Sequence, residues 1–135
     1  MTGRSDPLPL TGILETVLYC TGETEAPARR FYEEVLNLPR VSRWAYRLGS
    51  HLFLLFNAEE TREQQWPPPH GAPGTGHTCF MVPPDGYEYW KSHLEQHHVE
   101  VIEEIDWDRG VLSFYFKDPA GNVLEIANGD MWPAK

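Results

Sequence analysis

Glu125 is the residue from which the chemistry of this chain can be approached. It stands in the middle of residues 123–127, a segment otherwise wholly apolar. Strand side chains alternate with period two, which sets Glu125 on the same face as Val123 and Ala127. A charge buried there without a partner would be destabilising, so the position calls for a cation, a proton or hydrogen bonds. A metal ion would supply the cation. Glu15 interrupts a second apolar segment, 12–20, on the face of Ile13 and Val17. His77 opens a third, 76–82, and faces the same way as Cys79 and Met81.

The elements that must position these residues follow from patterning. Residues 111–128 read as two strands joined by the turn Asp118-Pro-Ala-Gly-Asn122. Pro119 presets φ, Asp118 can bond the backbone ahead of it, and Gly121 supplies φ > 0. Residues 24–37 read as a helix with Pro27 in its first turn and an apolar stripe of Ala28, Phe31, Tyr32 and Val35. Residues 40–56 give short strands around a turn at Gly49-Ser50. Residues 58–75, rich in proline and glycine, fit neither helix interior nor central strand and form a linker. Beyond the strand at 76–82, Asp85 and Glu88 suggest a capping box that opens a second helix. A strand at 99–105 and a turn at Asp108-Arg109-Gly110 lead into the last hairpin.

The chain therefore repeats one order, strand, helix, then three strands. Module one spans 12–57, the linker 58–75 and module two 76–128, within a single domain of residues 12–128. Glu15 and His77 occupy matching first strands. Setting Gly49 against Gly121 places Phe53 opposite Glu125 in the last strands, so three of the four matched positions carry side chains able to bind metal.

Composition narrows the function classes. A chain of 135 residues, 41% apolar and 13% aromatic, is globular rather than disordered. A formal charge of −9, with no Lys/Arg cluster, argues against a nucleic-acid partner. No apolar run is long enough to span a bilayer and no signal-peptide pattern opens the chain, so no membrane partner is expected. Two cysteines are too few for a disulfide framework, which makes the cytoplasm the expected compartment.

Three motifs in order resemble the vicinal oxygen chelate superfamily, which includes glyoxalase I, extradiol dioxygenases, fosfomycin-resistance transferases and bleomycin-binding proteins. They are Glu15-x-x-Leu-Tyr leading into Arg30-Phe-Tyr-x-x-Val-Leu36, then His77-Thr-Cys-Phe-Met-Val82, then Asp118-Pro-x-Gly-Asn-x-x-Glu125-Ile126. The resemblance implies an α+β fold of two βαβββ modules, whose curved mixed sheets surround a metal-binding cavity. It places Glu15, His77 and Glu125 at the metal-ligand positions. The fourth, a carboxylate in glyoxalase I, falls at Phe53. Paired modules in small members often come from two chains, and symmetric dimers are the commonest oligomers, so a homodimer is expected.

Two carboxylates and an imidazole suit a divalent ion such as Mn²⁺, Fe²⁺, Ni²⁺ or Zn²⁺. Such an ion would polarise two neighbouring oxygens of a small bidentate substrate, which points to a lyase, isomerase or transferase. Extradiol dioxygenases carry a histidine where this chain has Glu15, which demotes that reading. Tyr115 matches the tyrosine that contacts the phosphonate in fosfomycin transferases. The lysine of that subfamily falls at Ile105 and its potassium-loop serine and glutamate at Arg109 and Gly110, which argues against that activity. Cys79, two residues from His77, together with Trp44, Arg47 and Tyr115, is expected to shape the substrate pocket. The alternative from another class is a metal-free antibiotic-binding protein of the bleomycin-resistance type, whose acidic surface would attract a cationic drug.

Overall fold

The computed structural model describes residues 7–133; of residues 1–10, a polar stretch with two prolines that reads as a loosely ordered lead-in, the first six lie outside them. Seven strands and three helices follow in the order β1 (Glu15–Cys20), α1 (Glu25–Arg30), β2 (Ala45–Leu48), β3 (His51–Asn57), α2 (Ala58–Thr61), β4 (His77–Met81), α3 (Tyr87–Gln96), β5 (Glu103–Asp106), β6 (Leu112–Lys117) and β7 (Val123–Ala127). They build two open mixed sheets, of order β1-β3-β2 and β4-β7-β6-β5. In each, the first strand runs parallel to the last and the remaining pairs are antiparallel. This is the expected α+β architecture of two related modules.

Alternation along the strands splits each sheet into a helix-facing side and an open side. Phe53, Leu55 and Tyr46 of the first sheet are buried beneath α1, and Tyr32 packs on Phe53 with ring centres 4.7 Å apart. Phe114, Phe116, Leu124 and Ile126 do the same for the second sheet, with Tyr87 of α3 edge-on to Phe114 at 5.4 Å. One core joins both modules, since Phe31 of the first packs on Phe116 of the second and Phe53 on Phe80.

Several local expectations are corrected. The helix expected over 24–37 is α-helical only through Arg30. It then widens into a π turn, Phe31–Val35, closed by Leu36 N–H donating to the Phe31 carbonyl. The third strand expected after it in module one shrinks to a single bridge between Arg40 and Tyr46. Pro39 lies just before that bridge and has no N–H with which to extend a ladder. The capping box does not form: Pro84–Gly86 make a 3₁₀ turn, the helix begins at Tyr87, and Gly86 caps it without a side-chain bond. Pairing of the strand expected at 99–105 is confined to Glu103–Asp106.

The register also moves the fourth matched position. His77 pairs with Val123 and Cys79 with Glu125; correspondingly Glu15 pairs with Leu52 and Val17 with Leu54. If Glu15 matches His77, Leu54 rather than Phe53 matches Glu125. Phe53 faces the helix and is 1% exposed. The sequence comparison slipped by one residue because the Gly49 and Gly121 turns differ in length, and a one-residue slip exchanges the faces of a strand.

Candidate metal centre

The open side of the second sheet brings together four of the expected site residues. His77 and Cys79 come from β4, Glu125 from β7 and Tyr115 from β6, all on one face. They line a cavity of about 630 Å³, together with Trp107 and the segment 131–133. Glu125 is 5% exposed, held there because β7 is a central strand flanked by β4 and β6.

His77 Nε2 lies 3.3 Å from Glu125 Oε1. The other ring nitrogen, Nδ1, is 2.8 Å from the Val123 carbonyl oxygen. A carbonyl only accepts, so Nδ1 carries the proton, and on a neutral ring Nε2 turns its lone pair toward the carboxylate. Anchoring one imidazole nitrogen on a backbone carbonyl is the arrangement that orients metal-ligating histidines. Glu125 Oε2 is buried without a hydrogen-bond partner. A proton on Nε2 would satisfy Oε1 and still leave Oε2 orphaned, whereas a cation can satisfy the carboxylate and the ring together. These two side chains therefore fit as part of the donor set of a divalent ion. Tyr115 stacks on His77 with ring centres 6.0 Å apart. Burial and then the Glu125 carboxylate push the Cys79 thiol up to about 12, so it stays neutral when no cation stands beside it.

Glu15, Trp44 and Arg47 lie elsewhere. Glu15 is exposed at the start of β1, and Arg47 faces the same way on β2, both on the open side of the first sheet. Trp44 packs against Phe56 on that side, at 6.1 Å between ring centres. Among the described residues no three His, Cys, Asp or Glu side chains gather closely enough to hold an ion. One copy of the chain thus brings together His77 and Glu125, but not Glu15.

Sequence reasoning missed Ser113, Met131 and Trp132. Ser113 is fully buried beside Tyr115's face and accepts a hydrogen bond from Trp107 Nε1 at 2.8 Å. A serine within an apolar strand, two residues from Tyr115, was the available signal. Met131 and Trp132 follow the last strand and carry no pattern that would tie them to the cavity.

Comparison with known proteins agrees with this fold. A sequence model of the Glyoxalase/Bleomycin resistance protein/Dioxygenase superfamily matches residues 14–126. Glutathione transferase FosA of Serratia marcescens is 33% identical over 104 residues, 75% of this chain and 70% of that protein. The crystal structure of lactoylglutathione lyase from Agrobacterium tumefaciens superposes with a TM-score of 0.85 at 31% identity, covering 94% of this chain and 100% of that one. A glyoxalase/bleomycin resistance protein/dioxygenase from Nocardioides shares the fold at a TM-score of 0.72 and 18% identity, covering 96% and 93%. The chain belongs to the glyoxalase/bleomycin resistance/dioxygenase superfamily.

Proposed function

We propose that the protein is a divalent-metal-dependent lyase, isomerase or transferase acting on a small molecule with two neighbouring oxygens. The observation that carries this reading is the buried Glu125 carboxylate with one orphaned oxygen, facing a histidine whose Nε2 lone pair is free. His77 and Glu125 would hold the ion. Bound there, it would act as a Lewis acid on the substrate oxygens and stabilise negative charge developing on them. The chain's own part is to orient the ring through Val123, to keep Glu125 dry on a central strand, and to wall the cavity with Tyr115 and Cys79.

The third ligand is proposed to be Glu15 of a second copy. Glu15, Arg47 and Trp44 share the open side of the first sheet, and His77 and Glu125 the open side of the second. Two copies related by a twofold axis could set one kind of face against the other twice, completing two equal sites. FosA and lactoylglutathione lyase, named for glutathione chemistry, give the class of reaction some support, without specifying the substrate.

Melting curves with and without added Mn²⁺ or Zn²⁺ test the metal reading on wild type and Glu125→Gln. Metal that binds only native protein adds about 2.7 kcal/mol at a hundredfold excess over Kd. Wild type should therefore melt several degrees higher with metal, and Glu125→Gln, which keeps the shape but loses the charge, should not. Equal shifts in both proteins would move the ion elsewhere. The absence of any shift would favour the metal-free binding role.

A further inference from the structure

The cavity at β4 and β7 takes up one histidine, and α3 carries a pair that it leaves unused. His93 and His97 stand four residues apart at the C-terminal end of α3, the spacing that puts two imidazoles on one helix face. Their ring centres are 4.6 Å apart. An ion about 2.0–2.1 Å from each nitrogen stands roughly 3.2 Å from each ring centre, so two rings bound at right angles have centres about 4.5 Å apart. The pair already has the separation that ligation of one ion by neighbouring positions requires.

His93 is fixed before any ion arrives. Its Nε2 lies 2.8 Å from the Val35 carbonyl oxygen. A carbonyl only accepts, so Nε2 carries the proton and Nδ1 keeps its lone pair. The ring stacks on Tyr89, with centres 5.7 Å apart, and meets Trp90 edge-on at 5.2 Å. This is the carbonyl anchoring found at His77, and it orients a ligating imidazole. The carbonyl end of α3 carries partial negative charge, and Glu95 and Glu100 stand close by in the chain, so a cation is favoured there. His97 is exposed. Among the described residues no third His, Cys, Asp or Glu completes the set, which leaves the remaining positions to water.

We propose that His93 and His97 form a second metal site, separate from the centre at His77 and Glu125, that takes Cu²⁺ most tightly. Two neutral imidazoles with water suit Cu²⁺ and Ni²⁺, and the divalent series puts Cu²⁺ first and Mn²⁺ last. Mn²⁺ therefore reports on the first centre, and Cu²⁺ is the probe for the second. An ion here clasps the last turn of α3, which His93 already ties to the π turn of module one through Val35. Binding to the folded chain alone should raise its melting temperature.

Cu²⁺ titration of the His77→Gln/Cys79→Ser protein, whose first centre has lost its imidazole and the nearby thiol, tests the site by calorimetry and tryptophan fluorescence. One equivalent should bind and quench Trp90, which touches His93. Electron paramagnetic resonance should show two nitrogen ligands. His97→Gln in the same background leaves His93 and its Val35 bond in place. It should bind Cu²⁺ about tenfold or more weakly, with its metal-free melting temperature unchanged. His98→Gln should bind as the parent does, since His98 lies beyond the helix with φ +61°. Trp90→Phe should keep the calorimetric affinity and lose most of the quenching. Full affinity in His97→Gln, an equal loss in His98→Gln, a spectrum with a single nitrogen, or undiminished quenching in Trp90→Phe would each overturn the proposal.

Discussion

Asp118 and Asn122 show how much a single turn can tie together. Asp118 is buried and accepts from Tyr32 Oη at 2.5 Å, from the backbone N–H groups of Ala120 and Asn122, and from Asn122 Nδ2. Asn122 in turn donates to the Tyr19 carbonyl of β1 and accepts from the Gly76 N–H at the start of β4. The Asp118–Asn122 turn of the third motif is thus a structural joint between Tyr32, both first strands and β7, while Glu125 of the same motif lines the cavity. Asp118→Ala would leave the buried Tyr32 hydroxyl and the buried Asn122 backbone N–H without acceptors, at about 1–3 kcal/mol for each. We expect a loss of about 3 kcal/mol in urea unfolding and a smaller one, about 1 kcal/mol, for Tyr32→Phe, which removes one of four donors from the carboxylate. Equal losses would mean that the turn's backbone, not its acceptor, holds the joint.

At the scale of elements, the turns decide which side chains reach which face. Gly121 has φ +89° and an added Cβ would stand 3.2 Å from Thr75 Cγ2. A left-handed β-carbon and a tight neighbour together should make Gly121→Ala destabilising by about 1–2 kcal/mol. Gly12 has an ordinary φ and open space around it, so Gly12→Ala should leave the unfolding midpoint unchanged. The comparison separates turn strain from the general effect of adding a methyl group. The register of β3 carries a similar lesson: the two-residue turn at Gly49-Ser50, against five residues at 118–122, goes with Leu54 on the open face and Phe53 in the core.

For the whole molecule, burial of phenols predicts its alkaline limit. Tyr19, Tyr32, Tyr46, Tyr87 and Tyr115 are all raised above the ordinary tyrosine value, first because burial disfavours the phenolate; in Tyr32, Tyr87 and Tyr115 a neighbouring carboxylate adds to it. Their folded pKa values lie above the unfolded ones, so the folded state keeps protons that the unfolded chain releases. The stability they contribute is full below about pH 10 and is lost as pH rises beyond it. Urea midpoints should hold steady to about pH 9 and then fall, with phenolate absorbance rising in step with unfolding. Phenolate absorbance that rises on the folded protein well before unfolding would contradict it. The two-copy arrangement belongs to this scale too. Glu15→Gln and Glu125→Gln should each lower metal content, and a mixed dimer of the two variants should regain one intact site of two. If mixing restores none, Glu15 is not the ligand across the interface, and a monomer by light scattering would remove the arrangement altogether.

Period-two alternation and turn chemistry determined the local facts from the sequence alone: Glu125 on one face with Val123 and Ala127, His77 with Cys79, the turns at Gly49, Gly110 and Gly121, and two related modules. These are set by neighbours in the chain, which is why they can be read without the fold. Tertiary structure alone decided which of these residues meet. The parallel β4–β7 pairing brought His77 to Glu125 across 48 residues of chain, and the separation of the two sheets left Glu15 on the other open face. No local pattern encodes the distance between β1 and β4, nor the placing of Trp132 at the cavity wall, because both depend on how one core packs two modules together.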